Sequence, residues 1–385
     1  MESQRHDPTS EQPLKIAFCT PFKPVDHPSI SGDVTIARDL LHTLAGFGHE
    51  VLPVPFFPTR RIYWRPGRWP GALRALGRMV EAARGADCWL TCGSYYKVPD
   101  LLGPLAASRL SIPYFLFQAS HARNRGRRVS SWPGYMLNKR AMERADHVFC
   151  NRVNDLAGCA RLLPGDRYSC VRPGLPDGLF GPDDAARQRL RGQWGAGDSV
   201  VVVSVAMMRP GVKTIGLEWT IRACADLVAK GVDLRLVVAG DGPMRAGLQA
   251  MARAALGERV RFLGMVDRAD LSGVFSAGDL FAFPGLRESV GMVYLEAQRC
   301  GLPVVATDDE GAPHVVAHEV SGLITPASEA DYALGVERLA TDCELRRSLA
   351  ARAADHVIRA HDTTANYLEM ARTMERIVTT RRNTQ

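Results

Sequence analysis

The sequence predicts an α/β protein built from two doubly wound parallel-sheet domains that face each other across a cleft. Three observations carry that expectation. Short apolar segments alternate with helically spaced ones along the chain, the pattern of parallel sheets covered by helices on both faces. The alternation comes as two series of similar length, separated by Pro173-Gly174. The length of 385 residues, at roughly 100–200 residues per domain, corresponds to two or three domains.

In the first series Leu14–Thr20 reads as a strand, followed by a loop rich in Pro, Ser and Gly from Pro21 to Gly32. Val34–Phe47 has helical spacing through Ile36, Leu40, Leu41 and Leu44, and Gly48-His49 ends it before a strand at Glu50–Val54. Further strands are expected at Cys88–Cys92, Pro113–Gln118 and His147–Asn151. The second series runs strand Ser199–Val205, helix Leu217–Lys230, strand Leu234–Ala239, helix Met244–Leu256 and strand Val260–Leu263. Helix Asp270–Ser276, strand Leu280–Ala282, helix Val293–Cys300 and strand Pro303–Ala306 continue it. A tail from Asp362 to Arg382 carries an apolar stripe of Leu368, Ala371, Met374, Ile377 and Val378; periodicity does not say which domain it packs on. The expected division is an amino-terminal domain at 1–174, completed by the tail helix 362–385, and a carboxyl-terminal domain at 175–361. In open sheets of this kind ligands gather at the carboxyl ends of the strands.

Composition excludes several classes. Apolar residues make up 46% and charged residues 23%, ordinary globular values, so wholesale disorder, a collagen-like fibre and a small disulfide scaffold are ruled out. A chain of this size buries about three quarters of its unfolded surface and needs no staples. Apolar runs such as Val200–Val203 and Ile112–Phe117 are far shorter than the roughly 20 residues that cross a bilayer. Met1–Gln12 is polar without an apolar core, so no secretory leader is expected. The nine cysteines are odd in number and form no CxxC, which points to reduced thiols in a cytoplasm. Cys88 and Cys92 flank a strand-like stretch and lack the further ligands a zinc site needs.

Charge is unevenly shared. Residues 1–175 hold 24 Lys and Arg against 14 Asp and Glu, net +10, and the remainder is net −3. Arg60, Arg61, Arg65, Arg68, Arg74, Arg78 and Arg84 lie near Tyr63, Trp64 and Trp69. A second group, Arg123, Arg125, Arg127, Arg128, Lys139, Arg140 and Arg144, surrounds Trp132. Basic residues interleaved with Trp suit an anionic partner such as a bilayer surface, a phosphorylated acceptor or a nucleic acid. Solvated faces in an Arg-preferring protein are the plain alternative, since only six of the 48 basic residues are Lys.

The most informative segment runs from Phe281 to Ala306. A strand ends near Pro284, a loop delivers Glu288, and Ser289 and Gly291 occupy the turn before a helix. Free amides at a helix start, with the positive end of the dipole, attract anionic oxygens. Glu296 lies one to two turns into that helix, which Gly301 and Pro303 close. Two carboxylates eight apart, one at the helix mouth and one on its first turns, can each accept hydrogen bonds from vicinal hydroxyls, and so suit a polyhydroxylated ligand.

This segment resembles the Glu-x7-Glu signature of the family 4 retaining glycosyltransferases, which have the GT-B fold of two facing Rossmann-like domains. Other stretches agree in order and distance. Gly32–Val51 is similar to the family's first loop and helix, Arg144–Val148 to the strand before the linker, and Val171–Gly174 to the linker. Gly240-Asp241-Gly242-Pro243, Arg261–Gly264, Gly311–Pro313 and Ser321–Leu323 match later landmarks. The resemblance extends from Lys15 to about Arg382 and is more specific in the carboxyl half.

What the resemblance implies is a hexose or acetamido-hexose transfer from a nucleotide diphosphate sugar, UDP foremost, to an acceptor hydroxyl. The setting would be bacterial polysaccharide, lipopolysaccharide or glycolipid assembly, in the cytoplasm or at the inner face of its membrane. Glu296 would bind the ribose hydroxyls. Glu288, with the amides around Gly291, Met292 and Val293, would hold the donor sugar. Arg209 and Lys213 would neutralise the diphosphate, and Gly32 would let backbone approach it. His121 would lie near the anomeric centre, and the turn at Met265 and Val266 would face the base. The plain alternatives are a solvated loop for Arg209 and Lys213 and a structural histidine for His121. The chain departs from the family in three places: Met207 where an Arg is usual, Ser31-Gly32 in place of a Gly pair, and His314 where Glu is common.

No metal or other cofactor is expected. His314 and His318 are four apart, the spacing of a metal site on a helix, but the HExxH order and a third ligand are lacking. Two other function classes stay open: a nucleotide-sugar epimerase of the same fold, and a non-catalytic nucleotide-sugar-binding protein. The basic segments lack a recognised nucleic-acid module, so no nucleic-acid partner is expected.

Overall fold

A computed structural model describes residues 13–27, 32–176, 178–288 and 290–384. The chain forms two compact units. Unit 1 comprises Met1–Arg172 and Thr363–Gln385, and unit 2 comprises Pro173–Asp362.

Unit 1 is a six-stranded parallel sheet of β1 (Lys15–Cys19), β2 (Glu50–Pro53), β3 (Cys88–Ser94), β4 (Tyr114–Ala119), β5 (His147–Cys150) and β6 (Tyr168–Cys170), in the order β2-β1-β3-β4-β5-β6. Its helices are α1 (Gly32–Gly46), α2 (Trp69–Ala82), α3 (Gly103–Leu110), α4 (Trp132–Arg144) and α5 (Val153–Ala160). Unit 2 repeats the design with β7 (Val200–Val205), β8 (Leu234–Ala239), β9 (Val260–Gly264), β10 (Leu280–Ala282), β11 (Val304–Thr307) and β12 (Gly322–Thr325), in the order β12-β11-β10-β7-β8-β9, again all parallel. Its helices are α6 (Asp184–Trp194), α7 (Val212–Ala229), α8 (Arg245–Leu256), α9 (Leu271–Ser276), α10 (Met292–Arg299), α11 (Glu329–Thr341) and α12 (Cys343–Ala360). A last helix, α13 (Thr363–Asn383), returns to unit 1. The central strands are buried on both faces, which is why they read as nearly continuous apolar runs.

Several boundaries differ from the sequence expectation. Helix α1 begins at Gly32, two residues before Val34. Helix α7 begins at Val212, so Lys213 stands in its first turn and not in a loop. The basic segment around Trp69 contains helix α2, whose inward face is Ala72, Ala75, Leu76 and Met79. Three of these are small or unbranched, so the helical spacing is faint in sequence. His314 ends a short 3-10 turn, and the His318 Nδ1 accepts from the Ile324 amide at 3.1 Å. The two histidines therefore do not share a helix face. Among the described residues no helix is long and apolar enough to cross a membrane.

On α13 the buried apolar side chains are Tyr367, Met370, Ala371, Met374 and Val378, while Leu368 and Ile377 are half-buried. The helix packs on α1, and it is pinned by Glu375 against His49 at 3.5 Å, Arg381 against Asp146 at 3.1 Å, and Arg382 against Asp87.

A buried polar network orders the loops at the carboxyl ends of β3 and β4. Asp100 accepts from the Thr91 hydroxyl at 2.6 Å, the Tyr114 hydroxyl at 2.8 Å and the Gly103 amide at 2.8 Å. Burial pushes its carboxyl up, and these hydrogen bonds oppose that push. The Ser94 hydroxyl donates to Asn138 on α4, whose Nδ2 donates to the Ser120 carbonyl at 2.9 Å. Strand β3, helix α4 and the residue before His121 are thereby held as one piece.

Candidate active site

In unit 2 the strand order reverses between β10 and β7, and the loops leaving the carboxyl ends of these strands meet there. The β10 loop carries Glu288, and α7 carries Lys213. The Lys213 ammonium lies 2.9 Å from Glu288 Oε2, with both side chains about a quarter to a third exposed. Backbone bonds fix the loop: the Glu288 amide donates to Gly285 at 2.9 Å, and the Gly311 amide donates to the Glu288 carbonyl at 2.8 Å. Gly211 precedes α7 at φ 111°, a conformation that glycine adopts without strain.

The loops after β7, β8 and β9 are knitted together by two glycines of the Gly240–Pro243 turn. A Cβ on Gly240 would stand 2.0 Å from the Ala206 carbonyl, and one on Gly242 would stand 2.4 Å from the Met208 carbonyl. That close approach allows the Met208 amide to donate to Asp241 at 3.0 Å and the Met244 amide to Met208 at 3.0 Å. The Gly240 amide reaches Gly264, at the end of β9, at 2.7 Å. Arg209 sits on this loop with an exposed side chain that forms no ion pair among the described residues; its carbonyl accepts from the Thr214 hydroxyl at 2.7 Å.

Gly291, at φ +78°, immediately precedes α10, and a Cβ there would collide with the Tyr294 ring at 2.4 Å. Met292 and Val293 form its first turn, so their amides have no acceptor within the helix. Tyr294 is fully buried and donates to the Phe283 carbonyl at 3.1 Å, anchoring the helix start to the end of β10. Burial pushes its phenol well above its ordinary range, and the nearby Glu288 charge adds to that push. Ser289 lies outside the described residues.

Glu296 is only 7% exposed. A buried carboxylate is costly without a partner, and Arg268 Nε donates to it at 3.1 Å. The Arg268 guanidinium also lies 5.6 Å from the centre of the Phe180 ring, a cation–π distance. Arg268 follows Val266, which packs on the core, and Met265, which is 69% exposed. Sequence reading missed Arg268. Its one signal was membership of the turn already assigned to the base.

The structure thus brings Lys213 onto Glu288 and Arg268 onto Glu296, with the amides of Met292 and Val293 between the two carboxylates along the chain. Such a site can hold vicinal hydroxyls on its carboxylates and an anionic group on its ammonium and helix start. Arg209 does not touch this set.

His121 and Gly32 belong to unit 1. His121 is buried, stacked on Tyr135 at 4.6 Å between ring centres, with Nε2 3.0 Å from the Tyr135 hydroxyl. Its Nδ1 has no hydrogen-bond partner among the described residues. Burial, then the charges of Arg161 and Lys139, hold its pKa below the ordinary value, so the ring is neutral near pH 7. Gly158 on α5 packs so tightly that a Cβ there would meet the His121 carbonyl at 2.9 Å. Gly32 is the first residue of α1.

Residues 187–356 match the family described as glycosyl transferases group 1. The chain is similar to a GDP-mannose-dependent alpha-(1-6)-phosphatidylinositol monomannoside mannosyltransferase of Mycolicibacterium smegmatis, 32% identical over 60% of this chain and 61% of that protein. It therefore spans about three fifths of the mannosyltransferase's length. It is also similar to an alpha-D-kanosaminyltransferase of Streptomyces kanamyceticus, 33% identical over 67% of each chain. A D-inositol 3-phosphate glycosyltransferase of Stackebrandtia nassauensis is 35% identical over 75% of this chain and 68% of that protein. Among solved structures, HepE of Anabaena in complex with UDP and glucose superposes with a TM-score of 0.73 at 21% identity, covering 94% of this chain and 99% of that one. WaaG, a glycosyltransferase involved in lipopolysaccharide biosynthesis, gives 0.67 at 20% identity over 92% and 98%. These likenesses fix the fold as GT-B. With the matched segment containing Lys213, Glu288 and Glu296, the chain belongs to the glycosyl transferases group 1 family.

Proposed function

We propose that the protein is a retaining glycosyltransferase that moves a hexose or acetamido-hexose from a nucleotide diphosphate sugar, with UDP as the nucleotide, to an acceptor hydroxyl. It would work in bacterial polysaccharide, lipopolysaccharide or glycolipid assembly, in the cytoplasm at the inner face of its membrane. The observation that carries the reading is the Lys213–Glu288 pair at the β10/β7 reversal, 2.9 Å apart, with Glu296 buried eight residues further on. The UDP complex of HepE supports the choice of base; the GDP-mannose dependence of the mycobacterial relative makes GDP the competing one.

In this reading Glu296 holds the ribose hydroxyls, with Arg268 fixing its orientation, and the turn at Val266 faces the base. Glu288 and the first amides of α10 hold the sugar. Lys213, aided by Arg209, meets the charge that develops as the diphosphate leaves; such differential stabilisation is worth a few kcal/mol per group, roughly 3–4. The bond from the anomeric carbon to the phosphate oxygen breaks while the acceptor oxygen bonds to the same face. The acceptor's proton passes to the departing phosphate oxygen. His121, whose Nε2 meets the Tyr135 hydroxyl at 3.0 Å, is assigned to the acceptor side.

Calorimetric titration with UDP, GDP and ADP, repeated on Glu296→Ala, tests the donor site. Tightest binding of UDP, weakened at least ten-fold by the substitution, is expected. No binding of any of the three would sink the transferase reading. Release of an epimerised nucleotide sugar in the absence of acceptor would replace transfer by epimerisation.

A further inference from the structure

The two basic, Trp-bearing segments of unit 1 are far apart in sequence, and the fold brings them together. The Trp64 indole donates to the Ser130 carbonyl at 3.1 Å. The Tyr63 hydroxyl donates to the Tyr96 carbonyl at 3.0 Å, and its ring lies so close to Gly134 that a Cβ there would clash at 2.5 Å. The Arg61 amide donates to Lys97 at 2.7 Å, and Arg125 lies 4.9 Å over the Tyr96 ring. Segments 61–64, 95–97 and 125–134 therefore form one continuous piece of surface.

Its composition is unusual on two counts. Trp64 and Trp132 are each 53% exposed, and Val129 beside them is 84% exposed. Water rarely covers so many large apolar groups in one place without a partner. The same stretches contain no acidic residue from Val51 to Val80, or from Leu101 to Met142. Arg61, Arg65, Arg68, Arg123, Arg127 and Arg128 are all exposed, and none forms an ion pair among the described residues. Elsewhere exposed arginines of this chain do find carboxylates, as Arg259 and Arg338 show. Unneutralised guanidinium groups around amphipathic indoles match a surface with anionic headgroups above an apolar layer: phosphates take the arginines, and the indoles sit at the boundary.

We propose that unit 1 docks on an anionic phospholipid bilayer through this surface, with Trp64 and Trp132 inserted at the headgroup level. Helix α4 links the docking surface to the acceptor side, since Trp132 opens it and Tyr135, one turn later, holds His121. A hydroxyl presented from the lipid face has a short path to that histidine. This deepens the membrane-face reading given above. It is read by binding without turnover, so it fails or stands separately from the transferase activity.

The test is co-sedimentation of the full chain with vesicles of phosphatidylcholine alone, or of phosphatidylcholine mixed with phosphatidylglycerol. Binding to the mixed vesicles only, weakening as salt rises, is expected. Arg127→Ser and Arg128→Ser should each weaken it about five-fold, and Trp64→Ser with Trp132→Ser should abolish the blue shift of indole fluorescence on mixing. The Arg127 and Arg128 side chains project into solvent, so the melting temperature of those variants should stay at the wild-type value, while Trp64→Ser, which gives up its bond to the Ser130 carbonyl, should melt somewhat lower and still fold. Equal sedimentation with both vesicle types, or folded variants that bind like wild type, would overturn the proposal. So would failure to bind vesicles alongside tight binding of a single-stranded oligonucleotide, which would assign the surface to nucleic acid.

Discussion

The Lys213 ammonium already has an anion 2.9 Å away in Glu288, so in the proposed reading a diphosphate at the start of α7 would have to share it. The pair holds both side chains together at the reversal point. Lys213→Ala should therefore lower turnover by about 10²-fold or more, with single-turnover kinetics locating the loss in the chemical step. His147 tests the residue scale in unit 1. Burial holds its pKa at about 4, against an ordinary value of 6.5. Above pH 6.5 the ring is neutral in both the folded and unfolded chain, and its contribution is complete. As pH falls from about 6.5 to about 4 the unfolded chain takes up a proton that the fold refuses, and stability drops by about 1.4 kcal/mol per pH unit at most. Urea unfolding across that window should show the decline, and His147→Gln should flatten it. Glu288 and Glu296 could be singled out together in the sequence because they lie eight residues apart in one local segment, whereas Lys213, 75 residues before Glu288, was named only through the family resemblance. Arg268 was not, because its pairing with Glu296 depends on where the loop after β9 lands beside α10, and only the assembled sheet decides that.

At the scale of elements, the knit between the loops after β7, β8 and β9 rests on backbone that approaches too closely for any side chain. Gly242→Ala would drive a methyl group to 2.4 Å from the Met208 carbonyl at a φ of 153°, so the loop bearing Arg209 must move. A loss of about 2–4 kcal/mol in unfolding free energy is expected, with weaker nucleotide binding measured on the same samples. The strands and the helices built on branched apolar residues, such as α1 and β7, were readable to within a residue or two. Helix α2 was not, because alanines make much of its inner face and its arginines dominate the outer one. Strand β6, three residues long at a sheet edge, leaves too short a trace for any period. The docking surface shows a similar limit: sequence displayed both basic segments, and the bond from Trp64 to Ser130 was needed to join them.

For the whole molecule, the two-series pattern was legible because each βα repeat carries its own apolar period. The tail helix was expected to complete the amino-terminal domain and does so, although its helical stripe does not by itself name the surface it covers. Four large side chains of α13, Tyr367, Met370, Met374 and Val378, are buried in unit 1. At about 1.5–3 kcal/mol each, their burial is comparable with the entire stability of a typical domain, about 5–15 kcal/mol. Deletion of residues 363–385 should therefore unfold unit 1 selectively. Limited proteolysis checks this: a protected fragment covering residues 173–362 is the expected product, and equal protection of residues 13–172 would contradict it.

The return of α13 also orders events during synthesis. Residues 173–362 leave the ribosome between the two pieces of unit 1, so the second sheet is complete before the first has its closing helix. At 5–20 residues per second, translating the intervening stretch occupies roughly 10–40 s. Through that interval the face of α1 destined for α13 stays uncovered, and the nascent chain carries one finished half and one waiting for its last 23 residues.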